Sequence, residues 1–113
     1  MKIVITAATK GEWLPTYHAI NAIRKQVLFH ESGVGILSTT VALMKLIATE
    51  KPDLIIQVGI AGTFDTTKPL GKVVVIKNES MGDLGVTEKG QWKDVFDLGL
   101  IKNNRRPFKK KLL

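Results

Sequence analysis

Few residues in this chain have both the type and the setting to do chemistry. The most suggestive group is the small-residue run Gly59-Ile60-Ala61-Gly62, which follows the apolar stretch Leu54–Val58. Small residues let a ligand approach the backbone closely. In open α/β sheets ligands bind outside the carboxyl ends of the strands, so the run predicts a small-molecule site. Glu12 follows the first apolar run closely, and a carboxylate at that edge of a sheet could activate water as a general base. By spacing alone it reads as an ordinary exposed acid near a helix amino terminus, where the macrodipole favours it. Asp65 and Asp83 read as turn or cap residues in glycine-flanked loops. His18 and His30 are isolated, and without cysteine or paired His spacing no metal site is expected.

These residues need elements to hold them. Lys2–Thr6, with Ile3, Val4 and Ile5 in succession, predicts an opening strand. Residues 7–11 then form a small-residue loop. Pro15 suits the first turn of a helix, expected to run to Lys25 with Ala19, Ile20 and Ile23 inward. Gln26–Glu31 predicts a second strand and Ser32–Gly35 a turn. From about Ile36 to Thr49, an apolar face of Leu37, Val41, Met44 and Ala48, begun by Val34, recurs at helical steps. Lys51-Pro52 ends that helix. Leu54–Val58, bounded by proline and glycine, predicts a strand buried on both faces. Lys72–Lys77 predicts a fourth strand, Met81–Gly90 an irregular segment, and Trp92–Leu98 a short helix. Strands alternating with helices predict an α/β class with a mostly parallel sheet. The sheet is expected to be mixed, because no helix separates the third and fourth strands.

The chain has 113 residues, 44% of them hydrophobic, which is enough for one globular domain. No apolar run approaches the roughly 20 residues that span a bilayer, and Ile3–Ile5 is too short to read as a secretory signal. With no cysteine, disulfides and thiolate metal sites are excluded, in keeping with a cytoplasmic protein. The net charge of +7 is uneven: Lys102, Arg105, Arg106, Lys109, Lys110 and Lys111 carry nearly all of it. Such an end could touch phosphates. Without an aromatic platform beyond Phe108 it reads as a solvated extension, and nucleic acid is not an expected partner.

In order and spacing, several motifs resemble the purine nucleoside phosphorylase and nucleosidase superfamily. They are Met1–Thr9 with Glu12 close behind, Ser32-Gly33-Val34-Gly35 leading into a helix, Pro52–Gly62, and Leu70–Val75. Within it, Gly59–Asp65 and Met81–Val86 look most like futalosine hydrolase, which removes hypoxanthine from futalosine in menaquinone synthesis. Lys72 departs from the pattern, since many members carry an acid there. The resemblance runs to about Leu100 and implies a partial, truncated nucleoside phosphorylase-like fold. Residues 1–101 would form its amino-terminal part, and residues 102–113 a basic tail or truncated loop.

The resemblance also implies roles. Glu12 would position and deprotonate the attacking water. Ala8, Thr9 and Val34 would line the ribose, while Ile60, Ala61 and Gly62 would border the base and ribose. No cofactor is implied. A nucleoside substrate and a homo-oligomer are. The acid that protonates the departing purine belongs to a later part of the family's sequence, so residues 1–113 alone are expected to be inactive. A phosphorylase must hold a phosphate dianion, commonly with arginine. Here Gln57 and Ile60 stand at the key loop, and Arg24 is the only arginine before residue 100. That favours hydrolysis over phosphorolysis. The alternatives are a nucleoside phosphorylase, a methylthioadenosine nucleosidase, or an inactive nucleoside-binding module.

Overall fold

A computed structural model describes residues 1–20, 26–79 and 81–102. The chain divides into two units, Met1–Lys68 and Pro69–Leu113. The first holds β1 (Ile3–Ala7), α1 (Lys10–Ala19), β2 (Val27–Glu31), α2 (Ile36–Glu50) and β3 (Leu54–Gln57). Its three strands form a parallel sheet in the order β2-β1-β3. Ile3 pairs with Val27 on one side and Leu54 on the other, and the register continues to Thr6, opposite His30 and Gln57. The second unit holds an antiparallel pair, β4 (Gly85–Glu88) and β5 (Gln91–Asp94). The class is α/β as expected; the three-stranded sheet is wholly parallel, and the antiparallel pair is a sheet of its own where one mixed sheet was expected.

The core follows from β1's central place. Val4, Ile5, Thr6 and Ala7 are all buried, as expected of a strand covered on both faces. Thr6 meets its polar requirement across the sheet, with its Oγ1 3.0 Å from His30 Nδ1. On one face, Trp13 and Tyr17 of α1 pack on Phe29 of β2, with ring centroids 5.1 and 5.2 Å apart. Leu28 and His30, which alternate with Phe29, line an open groove of about 700 Å³ with α2. The two helices therefore serve opposite faces of the sheet. At the amino-terminal edge, the Lys2 N–H donates to Asp53 Oδ2 at 2.6 Å and the Lys2 ammonium reaches Glu50 Oε2 at 2.6 Å.

Several expectations are corrected. α1 starts at Lys10, well before Pro15, because Thr9 in extended conformation serves as its N-cap and the Glu12 side chain reaches back to the Thr9 N–H. Pro15 is interior to the helix, where its missing N–H leaves the carbonyl of Gly11 without its usual partner. The inward residues are Trp13 and Tyr17. Ala19 is exposed and Ile20 half-buried. Ile23 and the expected end of the helix at Lys25 lie outside the described residues.

α2 has the predicted extent, but its predicted apolar face is not buried: Leu37 is 79% exposed and Met44 68%, and Val41 and Ala48 are exposed as well, with Leu37 and Val41 bordering the open groove beside β2. The inward stripe is Thr39, Leu43, Leu46 and Glu50, on the far side of the helical wheel, with Leu46 only 6% exposed. Both faces carry apolar residues, so periodicity does not choose between them. The helix ends where Lys51 turns left-handed (φ 46°), its N–H donating to the Ile47 carbonyl at 3.1 Å. β3 is an edge strand with Leu54 and Ile56 exposed, not a strand buried on both faces.

Lys72–Lys77 is not a strand: no neighbour pairs with it among the described residues, and Val73–Ile76 are exposed. β-propensity becomes a strand only where a ladder partner exists. The expected irregular segment contains β4, and the expected helix begins as β5. Lys89 and Gly90, both at positive φ (51° and 77°), make the two-residue hairpin turn between them. Lys93 pairs with Glu88 across that hairpin. Beyond β5, Asp94 Oδ1 accepts the N–H groups of Phe96 and Asp97, both at 2.8 Å, fixing a turn where a helix was expected.

Candidate functional site

The order β2-β1-β3 means that the chain leaves β1 toward one edge of the sheet and returns to its other side. At such a reversal the connections after the two central strands diverge and leave a crevice beyond their carboxyl ends. Here the crevice lies beyond β1 and β3. The loop Ala8–Thr9 enters from one strand and the loop Gly59–Gly62 from the other. The Val58 N–H donates to the Thr6 carbonyl at 2.9 Å, which carries the pairing of these strands up to the crevice.

Glu12 stands in this position. It is half-buried, in the first turn of α1. Its Oε2 accepts the Thr9 N–H at 2.8 Å and the Thr9 hydroxyl at 3.0 Å. Its Oε1 faces the second loop, 3.2 Å from where a β-carbon on Gly59 would stand. The Thr9 amide and hydroxyl, and more weakly the Ile60 amide, hold the Glu12 carboxyl below its ordinary value of 4.5, against an opposing effect of partial desolvation. The group is therefore ionised at neutral pH and fixed in direction. A carboxylate so held can orient a water molecule or accept a hydrogen bond from a hydroxyl group.

The expected site residues are distributed around it as follows. Thr9, Glu12 and the amide of Ile60 are brought together. Ala8 is half-buried at the end of β1. The side chain of Ile60 is 91% exposed and that of Val34 75%. Ala61 and Gly62 are exposed, and no atom lies within 4 Å of a β-carbon built on Gly62. The groove between β2 and α2 is a separate feature, and Glu12 is not among its walls. Gly59 borders the carboxylate directly. Its only signal in the sequence was its place after an apolar run, which reads as a turn. Asp65 accepts the Thr67 N–H at 3.0 Å and hydroxyl at 2.6 Å and pairs with Lys68, which makes it a turn residue. Among the described residues no group of His, Asp and Glu converges as a metal site, and no helix is long and apolar enough to cross a membrane.

Two hydroxyls organise the neighbouring loop after β2. Ser32, buried, donates its N–H to the Ala7 carbonyl at 2.8 Å and has its Oγ 3.1 Å from the same oxygen. Thr39 Oγ1, from α2, donates to the Gly33 carbonyl at 3.3 Å.

No family model matches the chain, and no solved structure matches it. It is similar to a 5'-methylthioadenosine/S-adenosylhomocysteine nucleosidase of Psychromonas ingrahamii, 33% identical over 66 residues. The match takes in 58% of this chain and 29% of the relative, so the chain spans less than a third of that protein's length. The likeness supports the nucleoside phosphorylase and nucleosidase superfamily at large. It does not single out futalosine hydrolase.

Proposed function

We propose that the chain carries the nucleoside seat and the water-activating carboxylate of a purine nucleosidase. One observation carries this reading. Glu12 is ionised, fixed by Thr9 and turned toward Gly59 and Ile60 at the crevice where the strand order reverses. Hydrolysis of an N-glycosidic bond needs water activated on one face of the sugar, stabilisation of an oxocarbenium-like charge, and protonation of the leaving base. In this reading Glu12 orients the water and takes its proton, and its negative charge stabilises the cationic sugar. Ala8, Thr9 and Val34 lie along the ribose. Ile60, Ala61 and Gly62 border ribose and base. No described residue is assigned to protonating the purine.

Two substrates fit this reading. Futalosine is favoured by the motifs Gly59–Asp65 and Met81–Val86, and methylthioadenosine by the named activity of the similar protein. In either case water, not phosphate, is the acceptor, since Gln57 and Ile60 offer no cation for a dianion. The test is base release by the longest product of the reading frame, offered futalosine, methylthioadenosine and inosine, with and without phosphate. Base release independent of phosphate supports the reading, and the nucleoside that loses its base when each is offered separately names the substrate. Turnover that requires phosphate overturns hydrolysis.

A further inference from the structure

We propose that Ser32 and Thr39 are positioning residues that fix the ribose-side loop against β1, the strand that leads into the helix bearing the carboxylate. The proposal rests on the nucleosidase reading above, in which Val34 lines the ribose. The structural observation is a shared hydroxyl pair at the carboxyl edge of the sheet. Ser32 Oγ lies 3.1 Å from the Ala7 carbonyl, 3.3 Å from the Gly33 carbonyl and 3.4 Å from Thr39 Oγ1. Thr39 Oγ1 lies 3.3 Å from the Gly33 carbonyl.

Proton counting separates their tasks. A serine hydroxyl has one proton and can serve one carbonyl at a time. With both hydroxyls present, Ser32 donates to Ala7 and Thr39 to Gly33, so each carbonyl has its own donor. The Ala7 oxygen also accepts the Ser32 N–H, which fills its two lone pairs. Without the Thr39 hydroxyl, Ser32 must abandon one carbonyl to serve the other. Ala7 leads directly into Ala8 and Thr9, and Gly33 leads directly into Val34. The hydroxyl pair therefore sets the spacing between two loops that belong to different strands. Gly33 reinforces the arrangement. It stands at φ 78°, and a β-carbon there would lie 3.1 Å from the Ser38 β-carbon, so the loop is drawn tightly against the start of α2.

A group that positions the ribose side should affect nucleosides and spare the free base. The experiment measures equilibrium binding of inosine and of hypoxanthine to the 113-residue chain and to Ser32→Ala, Thr39→Val and Thr39→Ser. Thr39→Val keeps the shape and removes the hydroxyl, while Thr39→Ser keeps the hydroxyl. One lost hydrogen bond is expected to weaken inosine binding by roughly 3- to 10-fold in Ser32→Ala and Thr39→Val. Hypoxanthine binding should stay within about two-fold, and Thr39→Ser should restore inosine binding. Equal losses for nucleoside and base would mark a general structural role and overturn the proposal. So would unchanged inosine binding in both hydroxyl-free variants. A wild-type chain that binds neither compound would overturn this inference, while the nucleosidase reading stands or falls by base release from the longest product of the reading frame.

Discussion

Glu12 Oε1 lies 3.2 Å from the position a β-carbon on Gly59 would occupy. Glu12 stands in the first turn of α1 and Gly59 in the loop after β3. The opposite oxygen is held by two donors from Thr9, so the carboxylate cannot simply turn away. Glycine at position 59 thus sets how far the carboxylate reaches into the crevice.

Gly59→Ala, made in the longest product of the reading frame, should consequently act on catalysis and spare folding. The added carbon would have to displace the carboxylate or the loop by a few tenths of an ångström. A misplacement of about 1 Å can cost on the order of 100-fold in rate, so a loss of roughly ten-fold in base release is expected here. Gly59 is not at positive φ, so its melting temperature should barely change. Unaltered base release would show that the reach of the carboxylate is unimportant.

Made in the longest product of the reading frame, Glu12→Gln tests the proposed base itself. The amide oxygen can still accept from Thr9, so the start of α1 should survive. Loss of the general base should lower the rate of base release by about 10²- to 10⁴-fold, with nucleoside affinity little changed. Near-normal turnover would remove Glu12 from the mechanism.

The pH dependence has a definite sign. Folding lowers the Glu12 pKa below 4.5, chiefly through the Thr9 amide and then its hydroxyl. A depressed carboxyl stabilises the fold fully above its unfolded pKa, and that contribution is lost as pH falls through the folded value. The stability difference between wild type and Glu12→Gln should therefore be flat at neutral pH and shrink only below about pH 4.5. Thr9→Val removes the hydroxyl donor, so the Glu12 midpoint in a carboxyl-carbon NMR titration should move up toward the ordinary value. A wild-type midpoint above 4.5, or no movement in Thr9→Val, would contradict the hydrogen-bonding account.

The two faces of α2 make a stability prediction. Leu46 is buried and Leu37 is 79% exposed. Leu46→Ala should destabilise by about 2–5 kcal/mol. Leu37→Ala, a surface change, should fall within about 0.5 kcal/mol. Chemical denaturation of both variants checks this, and a reversed order would mean that α2 docks by its other face.

Much of the first unit was legible in the sequence. Ile3–Ile5, Leu54–Gln57 and the long helix each announce themselves by local composition, and the proline after Lys51 marks the helix end. The loop Gly59–Gly62 and Glu12 were legible as features too, because the carboxyl edge of a parallel sheet follows from strand order along the chain. The capping role of Thr9 and Glu12 was also written locally, in a Thr-x-x-Glu spacing. Pro15 offers a competing start, since proline also suits a first turn. The hairpin around Lys89-Gly90 is hard to read locally because Lys-Gly is a weaker turn signal than Asn-Gly or Asp-Gly.

By itself, the sequence determined which segments take up helix or strand geometry in the first unit, where turns interrupt them, and which small residues could border a ligand. These are local matters of period, propensity and backbone freedom. The tertiary structure decided the rest. It chose Leu46 over Leu37 as the inward side chain of α2, left Lys72–Lys77 without a strand partner among the described residues, and put Gly59 against the Glu12 carboxylate. Those outcomes depend on which distant segments meet, and a chain's local pattern is compatible with more than one set of neighbours.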